Sequence, residues 1–475
     1  MDNSLHWLSP FEHTDSPEIQ IELSKESDKP IYTTEYHNQL LDLKGEIDKI
    51  HTVQTWDTAK KITNPFEYIF LSLQKRTHRS IAACIPLSRS YFKMIELWDL
   101  LGPSLPEDEY LTAHSAEGPG GFLEAVMHRT HPKKCRMIAM TLRSTEKTIP
   151  GWRKSQQFLT SNPSVIVTYG ADGTGNLYSL ANQESFKQTA VKHLNGLAHL
   201  YTADGGFDFS ADFNAQENTV QRLLAAEGLC GLNTLRPGGI MIIKLFDTTY
   251  AGTLDLLWLL SGCFEKTAMT KPLTSRPANS ERYWVGYKLR PNIPTWVFDT
   301  LKQLTALDAP TGWSQIFKDR PYMPEWLDEL KSFQTVVEGQ QINNIQLTLN
   351  LIKQPSKSLI QSLLLSNIKS SRSWCRNHSI PMNRQYKDMS DEQIMASNVE
   401  EALEPFLTSV AHTSSPVLSR PSQMHHASIS SPSLRPPTGL AWRSALPASI
   451  LGREPSQKAS ETLPSDLSAS PQSPP

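Results

Sequence analysis

The chain is 475 residues long, with 46 Lys and Arg against 48 Asp and Glu and a formal charge of −2. That length suffices for one large domain with additions or for two or three domains, and the charge balance excludes a uniformly basic nucleic-acid binder while leaving room for a local basic groove. Five cysteines stand singly at Cys84, Cys135, Cys230, Cys263 and Cys375, so neither a disulfide framework nor a zinc site is suggested and a reducing, intracellular compartment fits best; with no basic leader and no apolar run near ~18 residues, neither secretion nor a membrane span is expected.

Residues 1–50 are polar, with Pro10, Pro17 and Pro30, until Leu40, Leu41, Leu43 and Ile47 suggest a helix; most of this segment is expected to be a mobile extension or a surface-hugging arm. Residues 56–73 read as two short helices split at Asn64-Pro65, because the residue before proline avoids helical angles. Residues 88–101 read as an amphipathic helix carrying Lys93. Strand and helix then alternate. Strands are expected at 110–114, 136–142, 165–169, 197–203, 240–245, near 267 and at 283–289, and helices at 122–129, 216–235 and 253–260. Such alternation predicts a doubly wound α/β sheet, whose ligands bind beyond the carboxyl ends of the strands. After Arg290 the pattern is helical (296–304, 323–337, 345–352, 358–374), predicting an α-helical appendage or second domain over 291–405. Residues 406–475 are crowded with Ser and Pro and are expected to be disordered. No internal repeat is found.

The stretch His114 to Met127, HSAEGPGGFLEAVM, joins a strand to a helix through the turn Glu117, Gly118, Pro119, Gly120, Gly121, with Phe122 leading the helix. Glycines permit positive φ and remove side chains, and a helix N-terminus offers unpaired N–H groups, so a polar cofactor can approach closely. The G-x-G-x-x-G of dinucleotide enzymes is not matched, which leaves the class of ligand open. Several charged residues fall at the same edge of the expected sheet. Asp204 follows a strand in TADGGFD; Lys244 lies within the otherwise apolar IIKLFD, where desolvation and neighbouring charges should shift its pKa; Glu281 precedes the last strand among Ser275, Arg276, Asn279 and Ser280. Taken alone, Glu281 reads as a solvated loop acid and Lys93 as a surface lysine.

Taken together, SRSYFKMIEL, AEGPGGF, ADGGFD with NAQEN downstream, RPGGIMIIKLF and KPLTSRPANSERYWVGY stand in one order over residues 51–290. That order resembles the FtsJ-type ribose 2′-O-methyltransferases, and most of all the mRNA cap ribose methyltransferases of eukaryotes and of large cytoplasmic DNA viruses. The resemblance implies a Rossmann-like methyltransferase sheet with helices on both faces, S-adenosylmethionine as cofactor and capped RNA as partner. It implies a catalytic tetrad of Lys93, Asp204, Lys244 and Glu281, with no metal required. Lys244 is then the base that takes the ribose proton, which requires lowering its reference pKa of about 10.4; Lys93 as a second cation, plus desolvation, is expected to do so, while Asp204 opposes full deprotonation but orients the amine and Glu281 holds Lys93 and the ribose in register.

The resemblance further places Glu117 to Phe122 by the methionine part of the cofactor and Asp172, in YGADGTGNLYS, by its adenine. An acid for the cofactor ribose is missing, since Thr141-Leu142-Arg143-Ser144 stands where many methyltransferases carry one. Candidates for RNA phosphates are Lys60, Lys61, Lys75, Arg76, Arg79 and Arg143, with Arg276, Asn279 and Ser280 near the acceptor; Trp56, Trp152 and Tyr169 are candidates for stacking on the cap guanine. The appendage and tail are candidates for contact with capping or transcription machinery. The site of action would be the cytoplasm (a host's, or a virion, if the source is viral) or the nucleus. The alternatives are a ribose methyltransferase of structural RNA and a catalytically silent RNA-binding scaffold.

Overall fold

A computed structural model describes residues 4–399 except 26, 51–52, 72–79, 107–108, 131–133, 147–148 and 208–215. Its strands are β1 (His6–Leu8), β2 (Ile19–Leu23), β3 (Glu109–Ser115), β4 (Lys134–Met140), β5 (Val165–Thr168), β6 (Ala198–Ala203), β7 (Leu235–Leu245), β8 (Phe264–Thr270), β9 (Arg282–Leu289) and β10 (Trp313–Phe317). Eight of them form one sheet in the order β1-β8-β9-β7-β6-β3-β4-β5, while β2 and β10 pair separately. From β7 to β5 the neighbours are parallel; β9, β8 and β1 run antiparallel.

The main helices are α1 (His37–Asp48), α2 (Val53–Ile62), α3 (Ser90–Leu101), α4 (Gly121–Thr130), α5 (Gln156–Ser161), α6 (Leu180–Leu194), α7 (Gln216–Thr234), α8 (Ala251–Ser261), α9 (Thr295–Ala306), α10 (Pro324–Lys353) and α11 (Lys357–Asn377). They cover both faces of the sheet, as a buried parallel sheet requires. Among the described residues no helix is long and apolar enough to cross a membrane.

The pleat sorts β7 between two cores. Met241 and Ile243 pack with α7, α8 and α9, whereas Ile240 and Ile242 pack with α3 and α4. Neither α5 nor α6 was expected from the sequence. The polar outer face of α6 hides its period, and only Phe186, Ala190 and Leu194 reach the core.

Both ends of the described chain are tied to the sheet. Residues 1–50 are not simply an extension: β1 joins the sheet edge, His6 opposite Met269 and Leu8 opposite Thr267, and Leu8 is buried. Three residues have no readable period; their partner strand lies more than 250 positions away. Nor do residues 291–399 stand apart. Val297, Leu301, Leu304 and Trp326 belong to one face's core, and Leu351, Ile360, Leu364 and Trp374 to the other's. The apolar faces that would have served a separate docking module are consumed by the sheet.

The break expected between 337 and 345 is absent, because Gly339 is a contact point. A Cβ there would lie 3.3 Å from the Tyr36 ring, so glycine lets α10 approach the start of α1. The expected disordered tail, 406–475, lies outside the described residues.

Candidate active site

The same period of two that builds the cores selects the site. Lys244 continues the parity of Ile240 and Ile242, Tyr283 is its cross-strand partner on β9, and Asp204 continues the parity of Leu200 just beyond β6. All three therefore face α3, and α3 carries Lys93.

Two lysine–carboxylate pairs result. Lys93 Nζ lies 2.7 Å from Glu281 Oε1, with the two side chains 14% and 13% exposed. Lys244 Nζ lies 3.3 Å from Asp204 Oδ1 and donates to the Asp204 carbonyl at 2.8 Å; these side chains are 12% and 14% exposed. The buried Tyr283 hydroxyl donates to Asp204 Oδ1 at 2.9 Å, fixing the carboxylate from the sheet side. Gly206 allows the loop to pass the ammonium, since a Cβ there would lie 3.2 Å from Lys244 Nζ.

The electrostatics differ from expectation for Lys244. Burial pulls its pKa down, but the negative charges of Asp204, Glu281 and Glu227 outweigh burial and hold the ammonium above its ordinary value. Lys93 does not act as a bare second cation, because Glu281 neutralises it. Burial would likewise raise the Glu281 carboxyl; Lys93, Lys244 and Lys271 prevail and hold it well below the usual carboxylate range.

Three contributors were not singled out from the sequence. Tyr283 fixes Asp204. Glu227, on α7, is buried and its carboxyl is pushed up to about 8 by burial against the pull of Lys244. Lys271, just after β8, is pushed down to about 7, burial overcoming the attraction of Glu281. The readable signal was polarity next to a strand end, which Lys271 shares with many surface lysines.

The glycine turn sits beside these pairs. Glu117 caps α4: its Oε1 accepts the Phe122 N–H at 2.8 Å and the Leu123 N–H at 3.4 Å. Its Oε2 is buried with no hydrogen-bond partner among the described residues. Burial, and after it the charge of Asp204, push this carboxyl well above its ordinary value. An orphaned acid oxygen at a strand-to-helix turn calls for a donor, and the α-ammonium of S-adenosylmethionine is one, so the residues present fit that cofactor.

The glycines serve the fold as much as a ligand. A Cβ on Gly118 would meet the Gly151 backbone at 2.8 Å, one on Gly121 would meet the Ser90 and Ser88 hydroxyls at 2.2 and 2.3 Å, and Gly120 has φ +106°. The Gly118–Pro119 bond is cis. Phe122 is fully buried against Tyr283, with ring centroids 5.8 Å apart, so its side chain supports the site from within the core.

The remaining candidates separate. Asp172 is exposed, and its Oδ1 accepts the Thr174 N–H at 2.8 Å and hydroxyl at 2.6 Å, which is a tight Asp-Gly turn; those bonds lower its pKa. Arg143 lies against that loop, its N–H bonded to Thr174 O at 2.7 Å and its guanidinium 5.4 Å from the Tyr169 ring centre. Arg276 is held by Glu67 at 3.0 Å, with Arg89 on the same carboxylate. Ser280 is buried and donates to Gln216 at 2.9 Å, whereas Asn279 is exposed. Lys60 pairs with Asp57 at 2.5 Å and Lys61 is exposed. Trp56 packs with Leu40, Leu43 and Ile345, and Trp152 is buried beneath Gly120, so both are taken up by the fold. Lys75, Arg76 and Arg79 lie outside the described residues.

Comparison with known proteins follows this geometry. Residues 86–289 match the family described as FtsJ-like methyltransferase. A cap-specific mRNA (nucleoside-2′-O-)-methyltransferase 1 of Drosophila melanogaster is 32% identical over 230 residues, 48% of this chain and 28% of that protein. Its namesake in Trypanosoma cruzi is 31% identical over 253 residues, 50% of this chain and 65% of that protein. The chain thus spans less than two thirds of the length of these relatives. A solved structure described as a ribosomal RNA methyltransferase of Plasmodium falciparum is 17% identical over 43% of this chain and all of its own, at a TM-score of 0.32, too low to argue from. The similarity to the FtsJ-like methyltransferase family lies in residues 86–289, less than half of the chain.

Proposed function

We propose that this protein methylates the ribose 2′-OH of a cap-proximal nucleotide of mRNA, using S-adenosylmethionine. The observation that carries the reading is the pair of lysine–carboxylate contacts, Lys93 with Glu281 and Lys244 with Asp204, set at strand ends beside the glycine turn. The similarity to cap-specific enzymes supports the substrate.

A ribose hydroxyl is a poor nucleophile near neutral pH, so the site must hold it in line and remove its proton. Lys244 is the base: its Nζ takes the proton of the ribose hydroxyl, whose oxygen would receive the methyl group. Lys244 must first lose the proton that its carboxylate neighbours favour. S-adenosylmethionine, when bound, would supply the methyl group from its sulfonium. Asp204 orients the amine through its carbonyl and carboxylate, and Glu281 holds Lys93 toward the acceptor ribose. Glu117, with the turn Gly118, Pro119, Gly120 and Gly121, holds the methionine part, and Asp172 the adenine side. Arg143, Arg276, Asn279 and Ser280 lie along the RNA. Such a substrate places the protein in the cytoplasm or nucleus.

Methyl transfer from labelled cofactor to matched capped and uncapped short RNAs tests the reading. Transfer confined to capped RNA is expected; no transfer to either RNA overturns the activity, and equal transfer overturns the dependence on the cap.

A further inference from the structure

Lys271 stands at the base of the loop that carries Asn279 and Glu281. Its Nζ donates to Glu281 O at 2.7 Å, to Asn279 O at 2.8 Å and to Asn279 Oδ1 at 2.9 Å. With a longer contact to Ser275 Oγ at 3.4 Å, these acceptors take up every donor of an ammonium. The side chain thereby closes the loop 271–281 on itself and fixes the backbone from which the Glu281 carboxylate reaches Lys93.

The contact also settles which way the Asn279 amide points. Two donors converge on Asn279 Oδ1, Lys271 Nζ at 2.9 Å and the Ser275 hydroxyl at 3.3 Å, so the amide oxygen faces the lysine. The Asn279 NH₂ has no partner among the described residues, and the residue is exposed. What it offers the solvent is a pair of donors, suited to the oxygen atoms of a ribose–phosphate chain.

We propose that Lys271 is a positioning residue for RNA: it holds the Asn279 amide with its donors toward an RNA oxygen and fixes the backbone of Glu281 beside the acceptor. The proposal rests on the reading of the site as an RNA ribose methyltransferase. Lys271 itself touches no reacting atom; its effect runs through Asn279 and Glu281.

The full chain carries the test as wild type, K271M, K271R, N279A, N279D and the K271M/N279A double variant, assayed with a short capped RNA and labelled cofactor. K271M and N279A are each expected to raise the RNA KM about tenfold, the scale of one lost hydrogen bond of this kind, with the cofactor KM changed less than about twofold. K271R, whose fork can span the same carbonyls, should return to within about threefold of wild type. In RNA KM the double variant should be no worse than N279A alone by more than about twofold, because the two residues reach RNA through one contact, while the loss of the Glu281 anchor should appear in kcat. N279D keeps its link to Lys271 but offers RNA an acceptor, so it should bind RNA as poorly as N279A.

An unchanged RNA KM in K271M, effects of K271M and N279A on the RNA KM that multiply, or an equal rise in both KM values would each overturn the proposal. If K271M does not fold, N279D decides: wild-type affinity for RNA in that variant overturns it. If the wild type transfers methyl to no RNA, the proposed activity is what has failed, and fluorescence anisotropy with the same RNA makes the same comparison through Kd.

Discussion

Asp204→Asn tests the electrostatics of the site most directly. Asp204 Oδ1 lies 3.3 Å from Lys244 Nζ, and after burial its charge is the largest influence on that ammonium, acting to keep the proton in place. At an effective dielectric of about 20, a pair at this distance is worth about 5 kcal/mol, an upper bound of between three and four pK units. The carbonyl of residue 204 at 2.8 Å and the acids Glu281 and Glu227 remain in the variant, so a fall of about 1–2 units in the pKa of Lys244 is expected. The sign is fixed: losing an anion destabilises the protonated lysine. In single-turnover methyl transfer followed from about pH 6 to 10, the wild-type rate should rise with pH as Lys244 gives up its proton. Asp204→Asn should move that rise to lower pH by about 1–2 units even though its plateau falls, since an amide orients the amine less well. A rise that stays in place, or moves to higher pH, would refute Lys244 as the base tuned by Asp204.

Other variants probe the remaining parts of the site. Lys244→Ala should reduce transfer by ~10²-fold or more while the cofactor Kd, read by calorimetry, changes only a few-fold; activity above a few percent of wild type would point to a different base. Glu117→Gln keeps an acceptor for the first turn of α4 but cannot become an anion, so cofactor affinity should fall about tenfold with little loss of stability to urea; unchanged affinity would remove Glu117 from the cofactor site. Gly121→Ala places a methyl 2.2 Å from the Ser90 hydroxyl and should destabilise the fold by about 1–3 kcal/mol in urea titration, and an unchanged midpoint would show that α3 and α4 can part freely.

The amino-acid sequence by itself determined the alternation of strands and helices, the glycine turn between β3 and α4, and the order of Lys93, Asp204, Lys244 and Glu281 along the chain. Those features are local. An apolar strand such as Ile240 to Leu245 announces itself through neighbours one and two residues away, and a lysine inside it is conspicuous for the same reason. Residues 6–8 and the continuity of α10 through Gly339 were not legible, because each depends on a partner hundreds of positions distant.

At the site, the identities were legible and the resemblance implied the partners, Asp204 for Lys244 and Glu281 for Lys93; the balance of charge and burial was not legible. Only the packing of α3 against the sheet decided that Glu281 neutralises Lys93 while the negative charges around Lys244 outweigh its burial, and hence that Lys244 is held in its charged form instead of being neutralised by a second cation. Lys271 shows the same limit from the other side. In sequence it is one lysine before a proline; in space its acceptors on Ser275, Asn279 and Glu281 make it the clasp of the loop that carries Glu281, because charge and hydrogen bonding act over ångströms and not along the chain.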